Sequence, residues 1–155
     1  MTAVLGIDPG CSGALVLITQ RGTYIEHLDM PTVKVGAKSR VNGAAVAAWL
    51  KKFHISHAYL EQVGAMPGQG TASMFTFGHA AGVVEGILQG MSIPYTLVTP
   101  QAWKKSAGLI GSDKDAARSR AIQLYPELRA LDAKAKGQAI SDALLIARHG
   151  AGVNR

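Results

Sequence analysis

The stretch Ala3-Val4-Leu5-Gly6-Ile7-Asp8-Pro9-Gly10 decides the fold that the rest of the chain completes. Its apolar run predicts a buried strand, and Pro9-Gly10 breaks that strand. Asp8 is thereby placed at the carboxyl end of the strand, at one edge of a sheet. Loops at strand ends carry many binding and catalytic residues, so Asp8 is the first candidate for a functional group.

The chain after this strand predicts an α/β layout. Strands over residues 13–19 and 23–30 follow closely enough to form an antiparallel meander. Residues 31–42 hold three basic side chains and little apolar content, which predicts a basic loop. Further strands are predicted over residues 57–60 and 94–98, and helices over residues 43–53, 71–91, 100–107, from a cap at Ser112 or Asp113 to about Tyr125, and 139–149 with Gly150 as the stop. Right-handed crossovers make the later strands parallel, so we expect one domain, residues 1–155, with a five-stranded mixed sheet flanked by helices.

Composition narrows the class of protein. The 155 residues are 48% hydrophobic and 17% charged, which suits one domain with a sizeable core rather than a disordered segment. The single cysteine, Cys11, cannot form an internal disulfide, so the cytoplasm or a comparable reducing compartment is expected. No apolar run predicts a membrane helix. The net charge of +6 favours a polyanionic partner such as nucleic acid.

Two more acids lie where a charge is costly. Glu61 follows the predicted strand 57–60, and Asp142 interrupts the apolar start of the last predicted helix. Asp8, Glu61 and Asp142 together predict a site for Mg²⁺, which prefers oxygen ligands and supports phosphodiester hydrolysis when two ions are bound. Ordinary explanations also exist: a turn cap for Asp8, a surface ion pair for Glu61, and a favourable helix dipole for Asp142.

Three motifs resemble one family. Gly6-Ile7-Asp8-Pro9-Gly10, Leu60-Glu61-Gln62-Val63 and Ser141-Asp142-Ala143-Leu144 are similar, in this order, to the RuvC-type Holliday junction resolvases. The stretch from Met66 to Gly78 is more similar to the bacteriophage branch of that family. The resemblance implies an RNase H-like fold, a homodimer, and nicking of branched DNA with Mg²⁺ or Mn²⁺. It also implies that Asp8, Glu61 and Asp142 bind the metal ions.

The sequence departs from the family at one position. The family usually has an acid or a histidine one turn before the position of Asp142, where this chain has Gln138, Ala139 and Ile140. Gln138 is expected as a weak neutral ligand, with a water molecule or reduced activity as the alternatives. Asp132 and His149 are less favoured ligands, because Asp132 is ten residues away and His149 is typical of a helix-end surface histidine.

Basic residues are concentrated in the last third of the chain. Residues 101–155 hold ten Lys or Arg against five Asp or Glu, whereas residues 1–100 hold six against five. This region is therefore predicted to bind phosphates. Under the resemblance, Lys104 or Lys105, and Lys114, orient or neutralise phosphate beside the cleaved bond. The predicted DNA contacts are Met66, Gln69, Lys104, Lys105, Lys114, Arg118, Lys134 and Lys136, although a solvated helix face is an alternative for Arg118.

Selection of a branch requires shape recognition, for example an apolar side chain inserted between weakly stacked bases. We favour Met66 over Met74, Phe75 and Phe77, because Phe75 or Phe77 is expected to be a core residue of its helix. Gly78, Gly82, Gly86 and Gly90 recur every four residues. Such a stripe weakens a helix unless another backbone approaches it. That backbone is expected to belong to a second copy of the chain or to the chain's own sheet.

Two other functions stay open at the level of sequence. A non-catalytic protein that binds branched DNA would fit the departure at Gln138. The turn from Gly6 to Gly13 also resembles the phosphate turn of actin-like ATPases, although those enzymes clamp nucleotide between two such domains. Trp49 and Trp103 are expected in the core or at its rim, and Cys11 as a packing residue.

Overall fold

The computed structural model describes residues 2–154, in which a five-stranded sheet has helices on both faces and a separate two-stranded hairpin lies beside it. The strands are β1 (Thr2–Asp8), β2 (Ala14–Ile18), β3 (Tyr24–Asp29), β4 (Thr32–Val35), β5 (Lys38–Val41), β6 (His54–Glu61) and β7 (Tyr95–Val98). The helices are α1 (Gly43–Leu50), α2 (Thr71–Gly90), α3 (Pro100–Ser106), α4 (Ala116–Leu124) and α5 (Lys134–Ala151), with a 3-10 helix at Arg129–Asp132. None of the helices in this part of the chain has the length and hydropathy needed to cross a bilayer.

The strand order of the main sheet is β3-β2-β1-β6-β7. β2 is antiparallel to β1 and to β3, whereas β1, β6 and β7 are parallel to one another. The predicted five-stranded mixed sheet, with its meander and its parallel strands, is confirmed.

β2 is apolar throughout and β1 is apolar between its two end residues, because helices cover both faces of the sheet. Leu5 and Ile7 pack in one cluster with residues of α1 and α2, such as Val84. Val4 and Val16 point to the other face and pack against α5. The sequence of β1 therefore shows no alternation of polar and apolar residues, although its side chains alternate between two cores.

Gly6 allows α5 to lie directly against β1. A Cβ at Gly6 would overlap the carbonyl oxygen of Ala143 and lie 2.5 Å from the amide nitrogen of Ala147. Side chains two residues apart on a strand share a face, so Asp8 is on the same face as Gly6. The contact at Gly6 therefore brings Asp142, the neighbour of Ala143, toward the end of β1 that carries Asp8.

Residues 31–42 do not form the predicted loop. β4 and β5 pair antiparallel as a hairpin outside the main sheet, and we call residues 32–41 the basic hairpin. Val33, Lys34 and Val35 alternate with the period of two that is typical of a strand, but the basic residues around them favoured a loop. Both valines are exposed, so the hairpin buries little apolar surface.

The last helix is longer than predicted. α5 begins at Lys134 rather than at residue 139, and it ends at Ala151 rather than at His149 with Gly150 as the stop. Gly152 takes the left-handed conformation that closes the helix, with a φ of 74°. Asp142 consequently lies in the middle of α5, so the favourable helix dipole offered as an explanation for its charge is absent.

The start of α4 was also placed too early by the sequence pattern. The helix begins at Ala116, not at a cap formed by Ser112 or Asp113. The Oδ1 atom of Asp113 instead accepts a hydrogen bond of 3.1 Å from the backbone amide of Asp115. This bond stabilises the turn before the helix, which is why an aspartate at this position resembles a cap. The start of β6 differs in the opposite direction, because the strand begins at His54, three residues before its predicted start.

The glycine stripe of α2 faces away from the sheet. The buried side of this helix carries Ala80, Val84 and Leu88. The stripe is offset from those residues by two positions, about 200° around the helix. It consists of Gly78, Gly82, Gly86 and Gly90. A Cβ at any of them would meet nothing within 4 Å. Packing of this stripe on the chain's own sheet is therefore wrong, and contact with a second copy stays a prediction.

Candidate active site

Asp8 and Glu61 end neighbouring parallel strands. The register pairs Ile7 of β1 with Leu60 of β6, so the next residues, Asp8 and Glu61, lie side by side at the carboxyl edge of the sheet. Asp142 reaches the same edge from α5, which packs on β1 and β6. We call these three side chains the carboxylate cluster.

Burial raises the pKa of every member of the cluster, and the charges of neighbouring acids raise those of Asp8 and Asp142 further. The pKa of Asp8 is well above its usual range, first because of burial and then because of the charges of Asp142 and Glu61. Burial and the charge of Glu61 raise the pKa of Asp142 to about 7, against the opposing effects of Gln138 and Lys104. Burial also raises the pKa of Glu61. The three charges therefore share one poorly solvated site, and bound cations would relieve their repulsion.

Trp103 holds Glu61 in place. Its indole Nε1 donates a hydrogen bond of 2.6 Å to Oε2 of Glu61 and acts to lower the pKa of that carboxyl. Trp103 itself is 1% exposed, as the sequence predicted for a core residue. It lies on the short helix α3, where Thr99 caps the helix through its Oγ1 and Pro100 occupies the first turn. The link from Trp103 to Glu61 has no signal in the sequence, because the two residues are 42 positions apart.

Gln138 contacts the cluster through its amide nitrogen. Nε2 of Gln138 donates a hydrogen bond of 3.1 Å to Oδ1 of Asp142, one turn further along α5. This arrangement makes Gln138 an orienting partner of Asp142, whereas the sequence analysis expected its oxygen as a weak ligand. Within residues 2–154, no group of three or more His, Cys, Asp or Glu side chains is arranged so that it could hold a metal ion as it stands.

A cleft of about 340 Å³ opens beside Asp142, and we call it the lysine cleft. Lys104, Lys114, Gln138 and Asp142 are among the residues that line it. The ammonium group of Lys104 lies 5.6 Å from the ring centre of Trp103, so the tryptophan also positions this lysine. Lys105 is exposed on α3 and does not line this cleft.

A second opening of about 600 Å³, here called the Asp8 groove, lies between the turn after β1 and the start of α2. Asp8 and Lys38 both line it, and Phe77 forms part of its wall. Phe75 is 65% exposed and Met66 is 66% exposed, so neither of them is a core residue. The carboxylate cluster therefore lies between two openings, each of which has lysine in its wall.

A family model described as "Crossover junction endodeoxyribonuclease RuvC" matches residues 4–149. The chain belongs to the RuvC family. The predicted enzyme class, a DNA endonuclease that resolves junctions, is thereby confirmed. RuvC enzymes depend on a divalent metal, which agrees with the predicted cofactor class.

Solved structures agree with this fold. A structure of Thermus thermophilus RuvC superposes with a TM-score of 0.60 at 18% identity, covering 95% of this chain and 92% of that one. A structure of T. thermophilus RuvC in complex with Holliday junction substrate gives a TM-score of 0.65 at 18% identity, covering 96% and 92%. No curated protein sequence gives a match. The predicted RNase H-like fold is confirmed.

Several of the predicted DNA contacts of this RuvC chain line neither the lysine cleft nor the Asp8 groove. The guanidinium of Arg118 donates two hydrogen bonds of 2.8 Å to the carbonyl oxygens of Leu131 and Asp132, so it ties α4 to the 3-10 helix. Lys136 lies 3.6 Å from a carboxylate oxygen of Asp29, and Lys134 is exposed at the start of α5.

The remaining candidates have defined surroundings. Gln69 lies in the loop after β6 and lines a small cavity of about 140 Å³ with Met74 and Phe77. His149 has its Nδ1 atom 2.9 Å from Oγ of Ser106, and burial lowers the pKa of its imidazole. His149 therefore already has a partner on α3, which weakens its case as a metal ligand.

Proposed function

We propose that this chain nicks DNA strands at a four-way junction and that Asp8, Glu61 and Asp142 hold the metal ions for the reaction. The observation that carries the proposal is the carboxylate cluster itself. Three acids from β1, β6 and α5 lie at one sheet edge with raised pKa values, and the charge of Glu61 contributes to the raised pKa values of Asp8 and Asp142. The cluster lies between two openings that contain lysine. Family membership supplies the reaction class.

The donor set of the cluster suits Mg²⁺ or Mn²⁺. Both are hard cations that take carboxylate oxygens, and Mg²⁺ keeps several water ligands, so three acids along one edge suffice without a closed cage. When bound, a pair of ions generates a nucleophile from water and stabilises the leaving oxygen in line with it. Repulsion within the cluster, which otherwise favours protonation, becomes the driving force for cation binding.

The neighbouring side chains orient the site. Trp103 fixes one oxygen of Glu61, and Gln138 fixes one oxygen of Asp142, so the second oxygen of each carboxylate is left to bind an ion. Lys104 and Lys114 line the lysine cleft, where they neutralise the phosphate whose negative charge the cluster repels. Lys105 contributes to the approach of DNA from its exposed position on α3.

The branch itself is recognised by an apolar side chain, with Met66 as the wedge. Met66 is exposed in the loop directly after Glu61, close to the proposed cleavage site. Phe75 is a second candidate, because it is equally exposed in the first turns of α2. The similarity of this stretch to the bacteriophage branch of the family supports a phage-like resolvase that works in the bacterial cytoplasm.

We also propose a homodimer formed through α2. Two nicks at symmetric positions require two active sites, which a two-fold dimer supplies. The open glycine stripe supports this interface, because the stripe allows another backbone to approach α2 closely. Residues 1–155 would then form one nuclease domain per subunit.

The test compares the wild-type chain with Asp8→Asn on a labelled four-way junction and on a linear duplex of the same sequence. We expect the wild type to nick the junction with Mg²⁺ or Mn²⁺ but not with a chelator. Asp8→Asn should bind the junction and fail to cut it, because the substitution removes one negative ligand. Undiminished cutting by Asp8→Asn would remove Asp8 from the mechanism. Binding by the wild type without nicking at any metal concentration would favour the non-catalytic alternative.

A further inference from the structure

We propose that the basic hairpin is a second DNA-binding element, which holds the sugar-phosphate backbone of the strand that enters the site along the Asp8 groove. The proposal rests on the junction-cutting function proposed above. It concerns basic residues within residues 1–100, a part of the chain whose net charge is close to zero.

The charge of this segment is strongly one-sided. No acid occurs between Asp29 and Glu61, whereas five basic residues do. Three of them, Lys34, Lys38 and Arg40, lie on the basic hairpin. The ion pairs found in residues 2–154 use none of these three cations. The cations are therefore available to an external anion.

One face of the hairpin is turned to the groove. The register pairs Val35 with Lys38 and Val33 with Arg40, and such cross-strand partners share a face. Lys38 lines the groove together with Asp8, so this face leads toward the carboxylate cluster. Val33 is 48% exposed and Val35 is 56% exposed, which leaves two apolar side chains beside the cations.

Two contacts of β5 hold the hairpin against the site. The Sγ atom of Cys11, three residues after Asp8, lies 3.5 Å from the carbonyl oxygen of Ser39 and donates to it. The guanidinium of Arg40 lies 5.8 Å from the ring centre of Phe75 on α2. These contacts hold Lys38 near Asp8 before DNA binds, so the basic hairpin loses little conformational freedom on binding.

The chemistry of this surface suits a phosphate backbone. The carboxylate cluster repels phosphates, so a strand can pass it only if cations on both sides offset that repulsion. Lys104 and Lys114 do so in the lysine cleft, and Lys38 does so in the Asp8 groove. Lys38 is a compact point charge, the valines have no polar side-chain atoms, and the guanidinium of Arg40 already contacts the ring of Phe75. We therefore expect the hairpin to contact the backbone of any sequence.

The experiment measures junction affinity by fluorescence anisotropy over a salt series, with a chelator present to prevent cutting. Lys38→Gln is the test variant, because Lys38 lines the Asp8 groove, whereas Lys34 pairs with Ser39 on the other face of the hairpin. Arg40 is kept because it contacts Phe75. Lys51→Gln is a charge-matched control, because this lysine follows α1 near the amino end of β6, at the opposite edge of the sheet.

Each phosphate contact contributes about 0.9 to the slope of log K against log salt. We expect the substitution to make the negative slope shallower by about 0.9 for each lost contact. At 0.1 M salt the variant should bind about eightfold more weakly for each lost contact. The control should keep the wild-type slope. A wild-type slope in the test variant, or an equal loss in the control, would overturn the proposal.

A positional measurement separates a local contact from a general loss of charge. Ala37→Cys at the hairpin tip, in a Cys11→Ser background that keeps a hydrogen-bond donor, carries a photoactivated cross-linker. We expect cross-links to the junction from this position and none from Ala48→Cys on α1; their absence from the tip would count against the hairpin. A wild type that binds but does not nick defeats the nuclease function alone, and the slopes then still decide on the hairpin. A wild type without DNA affinity overturns both proposals.

Discussion

Replacing Asp142 by asparagine should change how the stability of the metal-free protein depends on pH. Asp142→Asn keeps the size of the side chain and an oxygen that accepts the hydrogen bond from Gln138. It removes the buried acid whose pKa rises from 3.8 to about 7 on folding. Between those two pH values the folded wild type keeps a proton that the unfolded chain has lost. The wild type therefore loses stability as the pH rises through this window.

The size of the effect follows from the shift. From pH 5 to pH 8 the wild type crosses about two units of the window, so it should lose about 3 kcal/mol of unfolding free energy relative to Asp142→Asn. The assay is urea unfolding with a chelator at both pH values. Glu127→Gln, which removes an exposed acid, is the control and should follow the wild type. A constant difference in stability between wild type and Asp142→Asn at the two pH values would refute the reasoning.

Three further substitutions test other parts of the structure. Trp103→Phe keeps an aromatic ring but removes the hydrogen-bond donor to Glu61, and such a charge-assisted bond contributes about 1.5–3 kcal/mol. Junction cutting should therefore fall roughly ten- to hundredfold while junction binding persists. An unchanged cutting rate would exclude a positioning role for Trp103. Gly6→Ala should destabilise the fold by about 3 kcal/mol or more in chemical unfolding, because its Cβ overlaps the backbone of α5, whereas Gly64→Ala in open space should cost far less. Gly82→Leu should convert the proposed dimer to a monomer in sedimentation experiments, and a dimer that persists would place the interface elsewhere.

The elements that the sequence predicted well are those with strong local signals. The apolar run before Asp8 and the break at Pro9-Gly10 predicted β1 and the position of its acid. The hairpin over residues 32–41 was not predicted, because exposed strands with lysines in alternate positions look like polar loops. The start of α5 was predicted too late, since Gly137 is unfavourable in a helix unless close packing requires it. The structure supplies that requirement, because a Cβ at Gly137 would overlap the carbonyl oxygen of Leu131.

The candidate site also has a part that the sequence predicts and a part that it does not. The three acids could be named from the sequence, because each is a charge in or beside an apolar run. The hydrogen bonds of Trp103 and Gln138 could not be assigned, and neither could the position of Lys38 in the Asp8 groove, since these depend on distances between separate elements. Phe75 or Phe77 was expected to be a core residue, but Phe75 is exposed and Phe77 is only half-buried in the wall of the Asp8 groove.

The sequence by itself determined three properties of this protein: apolar segments that end in acids, glycine turns that join them, and an excess of basic residues. These properties are local, and local backbone preferences express them directly. Only the tertiary structure decided which acids become neighbours and which cations face them. The register of β1 with β6 and the contact of α5 at Gly6 set those distances, and electrostatic interactions in a buried site depend on distance above all.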